Sequence, residues 1–159
     1  MLKKILVPLD GSELSVKILP QVEDLAKKYQ ADITLITLGH LASAAGALEG
    51  SLEVLKEATA HEKKISERFL EKTANSLREK GLTVAWVYEE AMPAHGIVAY
   101  AEKRKMDLIA IATHGKGEVA WVLGSVAEKV VSHATVPILL FRVMEFKAPA
   151  LKAEWFMGS

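Results

Sequence analysis

At 159 residues the chain is long enough for one domain that buries roughly 70% of its unfolded surface. Its 20 Lys and Arg equal its 20 Asp and Glu, which argues against a broad basic surface for nucleic acid but leaves room for a local charged pocket. It has no cysteine, which excludes disulfides, thiolate chemistry and cysteine-based zinc sites. No apolar run approaches the ~20 residues needed to span a bilayer. Met1-Leu2-Lys3-Lys4 leads into a short strand rather than the apolar segment of a signal peptide. The expectation is a soluble, cytoplasmic protein with neither membrane nor nucleic acid as a partner.

Lys4 to Leu9 is a short apolar run ended by Asp10-Gly11-Ser12, which reads as a buried strand and a turn. Leu14, Ile18, Val22, Leu25 and Tyr29 follow at helical spacing, with Pro20 placed to kink the first turns or delay the helix. Ile33 to Leu38 is the second strand. Leu41 to Leu55, rich in Ala, Gly and Ser, reads as a mobile loop or a poorly held helix, and is the natural lid candidate. From about Glu57 to Lys80 charges alternate with Ile65, Phe69 and Leu77, predicting an amphipathic helix with a solvated charged face, closed by Gly81. Leu82 to Tyr88 is a third strand, with Trp86 expected in the core. Pro93 opens a helix whose inner face is Ile97, Val98 and Ala101. Leu108 to Ala112 is the fourth strand, Val119 to His133 mostly helix, and Val136 to Val143 the fifth strand. Strands alternating with helices predict a doubly wound parallel sheet, with ligands at the carboxyl ends of the strands where the order reverses. The fold is expected to occupy residues 1–143, and 144–159 form a C-terminal extension carrying Phe146, Trp155 and Phe156.

The most informative stretch is 107–126. Its apolar strand stops at Thr113-His114-Gly115-Lys116-Gly117, and a second break follows at Gly124-Ser125. A strand running into a glycine-rich loop and a helix presents backbone N–H groups to an anion. If the first and fourth strands flank the switch point, Asp10 faces this loop across one crevice. Asp10 there can hold a ribose or amide edge, or it can serve the turn and the helix cap. Lys116 can neutralise phosphate or stand as a solvated loop lysine. No Gly-Lys-Ser/Thr follows four spacer residues, so this is not a Walker A loop. Of the five histidines, His40 and His114 fall near strand ends on the ligand side. His114 reads as a residue that positions backbone and His40 as a loop residue. Without a carboxylate cluster beside them they make no metal site, and no histidine is fixed beside Ser12 and Asp10 to form a catalytic triad. Trp121, between the two glycine elements, reads as core. The third strand ends Tyr88-Glu89-Glu90 without the aspartate that a phosphoacceptor receiver domain needs, so that class is rejected.

The segments Lys4 to Ser12, Pro93-Ala94, Asp107 to Gly115, Gly124 to Val130 and Val136 to Leu139 resemble, in their order and spacing, the UspA-type domain of the universal stress proteins. The resemblance implies a Rossmann-like α/β/α sandwich around a five-stranded sheet of order 3-2-1-4-5, often homodimeric through antiparallel pairing of the last strand, here 136–143. ATP-binding members carry a Gly-x-x-Gly-x9-Gly-Ser/Thr pattern. On that pattern Ala112 replaces the first glycine and Gly115 matches the second. Gly124-Ser125 match the last pair, and 116–123 supply eight positions where the pattern has nine. Gly117 is a second flexible point that can absorb the change. The resemblance places Asp10, beside Pro8 and Leu9, at the nucleoside end and the Leu38 backbone beside the adenine. It further implies that Gly115, Gly124, Ser125 and Val126 would hold the phosphates, that the loop from Ala112 through Thr113, His114, Lys116 and Gly117 would complete the cradle, and that Mg2+ or Mn2+ would bridge the phosphates. The implied function is a stress-response sensor that binds ATP or another adenine nucleotide. With no general base evident, hydrolysis would at most be slow. The alternative is a dimeric interaction module of the same fold that binds no nucleotide, which Ala112 and the short spacer favour.

Overall fold

The computed structural model describes residues 1–39, 52–115 and 122–145. The elements run β1 (Lys4–Pro8), α1 (Glu13–Val16), α2 (Leu19–Tyr29), β2 (Asp32–Gly39), α3 (Leu52–Arg78), β3 (Val84–Glu90), α4 (Pro93–Lys103), β4 (Leu108–Ala112), α5 (Ser125–His133) and β5 (Ile138–Phe141). The strands form one parallel five-stranded sheet in the order β3-β2-β1-β4-β5. The doubly wound sheet expected from the alternation is therefore present, with β1 and β4 flanking the reversal.

The period-2 alternation of the central strands places side chains into two cores. Ile5, Val7, Leu9, Ile33 and Leu35 face Val22, Ala26, Leu70, Ala74 and Leu77 of α2 and α3. Leu6, Ile36, Ile109 and Ile111 face Ala94, Ile97 and Ala101 of α4 and Ala127 and Val130 of α5. Strands buried on both faces read as near-continuous apolar runs, which is why β1, β2 and β4 were legible.

Several boundaries differ from the sequence reading. The helix expected from Leu14 to Tyr29 is two helices. Ser12 caps α1 by accepting from the Ser15 N–H, and Pro20 sits in the opening turn of α2, where its missing N–H costs nothing. Ala26 takes the buried position, while Tyr29 is 43% exposed. α3 begins at Leu52, so the last residues of the expected loop are helical; the rest of that lid candidate, 41–51, lies outside the described residues, as do His40, Trp121 and the aromatic residues of the extension. Gly81 closes this turn with a φ of +85°, and the Leu82 N–H reaches back to the Leu77 carbonyl. Val98 lies half-buried at the flank of α4, because Ala94, Ile97 and Ala101 already supply its inner stripe. Trp86 packs half-buried against α3, its indole N–H donating to Glu71 at 2.8 Å. Of the stretch expected to be mostly helix, 119–121 lie outside the described residues, 122–124 are not helical and α5 starts at Ser125; β5 spans four residues inside the expected 136–143.

Asp107 ties the amino edge of the sheet together by accepting the backbone N–H groups of Lys3 and Lys4, each at 2.8 Å. These two bonds, Lys3 first, hold its carboxyl below the usual carboxylate range. A carboxyl lowered in the folded state stabilises above its unfolded pKa, and that contribution is lost as pH falls through the folded value. Asp107→Asn is therefore expected to lower stability at neutral pH by about 1 kcal/mol, or ~2–4 °C in Tm. Thermal melts of both proteins should converge as pH falls into the acid range; an undiminished gap there would contradict this role.

Candidate functional site

The site forms because β1 and β4 end side by side while the chain leaves them in different directions. Past β1, the Leu9 N–H donates to the Ile36 carbonyl and Thr37 donates its hydroxyl to the Leu9 carbonyl at 2.8 Å, which fixes the strand end. Gly11 then turns with a φ of +81°, a conformation that favours glycine. Asp10 accepts the Ser12 N–H at 2.9 Å and also the Ser12 hydroxyl, so it does serve the turn. Its other carboxylate oxygen lies against Gly115: a Cβ on Gly115 would stand 2.5 Å from it. Asp10 and the loop after β4 thus meet across the crevice. Glycine is needed at 115 for this approach, not for a positive φ.

Beyond β4, the Thr113 N–H donates to the Phe141 carbonyl, and the Thr113 carbonyl accepts from the Gly124 N–H at 2.9 Å. His114 is 3% exposed, with one ring nitrogen 2.7 Å from the Thr113 hydroxyl and the other 2.6 Å from the Val122 carbonyl oxygen. Ala112, where the motif has glycine, is buried, packs into the α2/α3 core and has no positive φ. Its backbone accepts an L-residue without strain.

These residues surround a cavity of about 310 Å³, at the small end of the ~300–1,000 Å³ typical of ligand sites. Pro8, Leu9, Asp10, Leu38, Ala112, Thr113, His114, Gly115, Ser125 and Val126 all line it. Gly124 is not among the lining residues; it immediately precedes α5 and donates its N–H to the Thr113 carbonyl. Lys116 and Gly117 lie outside the described residues. Ser15, Ile36, Pro93, Ile97, Ile111 and Ala127 complete the lining without having been singled out as site residues. Ile36 and Ile111 had a signal, since each sits near a strand's carboxyl end on the face opposite Leu35 and Ala110; Ala127 and Ser15 had none, because only the docking of their helices brings them here.

The chemistry of the walls is divided. Ile36, Leu38, Ile97 and Ile111 are apolar, Asp10 carries a carboxylate, and the opening turn of α5 brings the positive end of a helix dipole. Such a site fits a flat apolar group bearing hydroxyls toward Asp10 and an anion toward α5. Among the described residues no three His, Asp or Glu side chains converge as a metal site, so the described chain offers no ligand set of its own for the expected Mg2+ or Mn2+. A wider depression along α3 and β3 is lined by alternating exposed charges such as Lys64, Glu67, Arg68 and Glu71, which reads as a solvated face. Among the described residues no helix is long and apolar enough to cross a membrane.

A parallel sheet with helices on both faces and a cavity at its switch point defines a small doubly wound α/β domain. The chain belongs to the universal stress protein family, whose model matches residues 1–142. A universal stress protein of Methanocaldococcus jannaschii is 34% identical over 142 residues, which span 88% of this chain and 82% of that protein. The solved structure of UspA from Lactobacillus plantarum shares the fold with a TM-score of 0.78 at 21% identity, covering 88% of this chain and 97% of that one. So do a universal stress protein in complex with cAMP (TM-score 0.67, 20% identity, 89% of this chain and 98% of that one) and one from Arabidopsis thaliana with AMP bound (0.62, 17%, 93% and 96%).

Gly96 sets the position of one apolar wall. A Cβ there would lie 2.4 Å from a methyl carbon of Leu38 and 3.1 Å from the Ala91 Cβ. The Leu38 tip can move, so Gly96→Ala is expected to leave the fold intact by circular dichroism while displacing Leu38. Shifted Leu38 methyl signals in NMR spectra of Gly96→Ala would report that displacement, and unchanged signals would show that the wall takes up the added methyl without moving.

Proposed function

We propose that this protein binds an adenine nucleotide in the switch-point cavity and acts as a stress-response sensor, working in the cytoplasm as a homodimer. The observation that carries the reading is the convergence of Asp10, Gly115 and the first turn of α5 on one cavity with apolar walls. The base fits between Leu38, Ile97 and Ile111, the ribose hydroxyls reach Asp10, and the phosphates leave past Gly115 toward Ser125 and Val126. Backbone N–H groups and a helix terminus bind anions without special side chains. The AMP- and cAMP-bound relatives support this choice of ligand. Binding and release, not turnover, is the proposed activity. The titratable groups among the described lining residues, Asp10 and His114, are both held in hydrogen bonds to their own neighbours, so neither is placed as a general base.

The interaction-module alternative draws its support from Ala112 and the short spacer. The first of these loses weight, since the Ala112 methyl belongs to the core. For the dimer, β5 is the edge of the sheet among the described strands, with Leu139 and Leu140 37% and 38% exposed. An apolar edge of this kind is a template for pairing with another copy.

Mass spectrometry of small molecules released from the purified protein should detect an adenine nucleotide, and calorimetry should give heat with at least one of ATP, ADP, AMP and cAMP. Silence in both sinks the nucleotide reading and leaves the interaction module. Gly115→Val, whose branched side chain collides with Asp10, should weaken binding at least tenfold, about 1.4 kcal/mol. Leu140→Lys should sediment as one chain where the unmodified protein sediments as two; equal masses would remove β5 from the dimer.

A further inference from the structure

His114 is the one titratable residue among the buried polar side chains of the described chain, and ligand contact does not explain its two hydrogen bonds. The Val122 carbonyl oxygen, eight residues on, can only accept, so the ring nitrogen 2.6 Å from it, Nε2, carries the hydrogen. The other ring nitrogen, Nδ1, has the Thr113 hydroxyl as its partner at 2.7 Å, and a hydroxyl can donate to it. The Thr113 oxygen in turn accepts the Val143 N–H at 3.3 Å. The chain of bonds has one direction, fixed by a backbone N–H at one end and a backbone carbonyl at the other. Thr113 adds two backbone bonds, from its N–H to Phe141 and from the Gly124 N–H to its carbonyl. Two adjacent residues therefore join the end of β4, the residues leading into α5, and the chain leaving β5.

We propose that His114 is the positioning residue of the nucleotide cradle. It holds Val122, and with it Gly124 and the first turn of α5, at the angle that presents Ser125 and Val126 to the phosphates. The Val122 carbonyl sets its tautomer, and the Thr113 hydroxyl bonded to its other nitrogen registers the cradle against Val143, two residues past the end of β5. The inference rests on the nucleotide reading and goes beyond it: affinity for the phosphates depends on a side chain whose polar atoms are turned away from them toward the protein. A site held to within fractions of an ångström needs such supporting bonds.

Three variants separate positioning from packing. His114→Phe keeps a buried ring and loses both bonds. His114→Gln keeps a donor able to reach the Val122 carbonyl. Thr113→Val keeps the shape and removes the hydroxyl that bonds Nδ1. Calorimetry with AMP and ATP should show about a tenfold loss for His114→Phe, the loss of one well-made hydrogen bond. Thr113→Val should show a smaller loss, and His114→Gln should recover to within about threefold of the unmodified protein. Imidazole nitrogen shifts of the unmodified protein should report hydrogen on Nε2, and the amide signals of Ser125, Val126 and Ala127 should move in His114→Phe and return in His114→Gln. Wild-type affinity in His114→Phe, or hydrogen on Nδ1, overturns the proposal. Should His114→Phe fail to fold, His114→Gln against Thr113→Val carries the same comparison. An unmodified protein that binds neither nucleotide refutes the functional reading itself, a different result from a wild-type protein that binds and variants that bind equally.

Discussion

Parallel strands can be joined only by connections that return to the same end of the sheet, and right-handed crossovers decide which face each connection covers. In this chain the order β3-β2-β1-β4-β5 sends α1 and α2 to one face from β1 and α5 to the other from β4. The two neighbouring strands that carry these connections end together, and nothing in the crossover geometry fills the space between their exits. The cavity, the Asp10–Gly115 contact and the placement of the first turn of α5 at the cavity all follow from that one divergence.

How the divergence is held is a matter of backbone hydrogen bonds more than side chains. Leu9 is tied to Ile36, Thr113 to Phe141 and Gly124 to Thr113, so each strand end is pinned before the loop begins. Gly115 then has one requirement, room for the Asp10 carboxylate, and Ala112 has none that excludes a methyl group. A motif position can call for glycine because of φ, because of close approach, or not at all, and these two neighbours of the same loop illustrate the last two cases.

Much of this was readable from residue order. β1, β2 and β4 announced themselves as apolar runs because they are buried on both faces, and a switch point between β1 and β4 would set Asp10 opposite the 113–117 loop, an arrangement that the sheet order and the Asp10–Gly115 approach bear out. Helix ends were less legible. Val119 to His133 read as mostly helix, but among the described residues the Gly124 N–H is claimed by the Thr113 carbonyl, and the helix begins only after it. Val98 and Tyr29 fit their apolar stripes on spacing alone; Ala94 and Ala26 took the buried positions, where the packed faces are filled by small side chains.

Local chemistry thus decided by itself that this chain forms a doubly wound sheet, and that a glycine-bearing loop follows β4, because burial on two faces and glycine-bounded turns leave marks in sequence. It also carried enough ordered motifs to show the family. Only the tertiary structure decided that the Ala112 methyl packs into the core, that Gly115 answers to Asp10, and that His114 spans eight residues to Val122. Those facts depend on distances between segments far apart in the chain or held by a single side chain, and residue spacing carries no record of such distances until the sheet has brought the strand ends together.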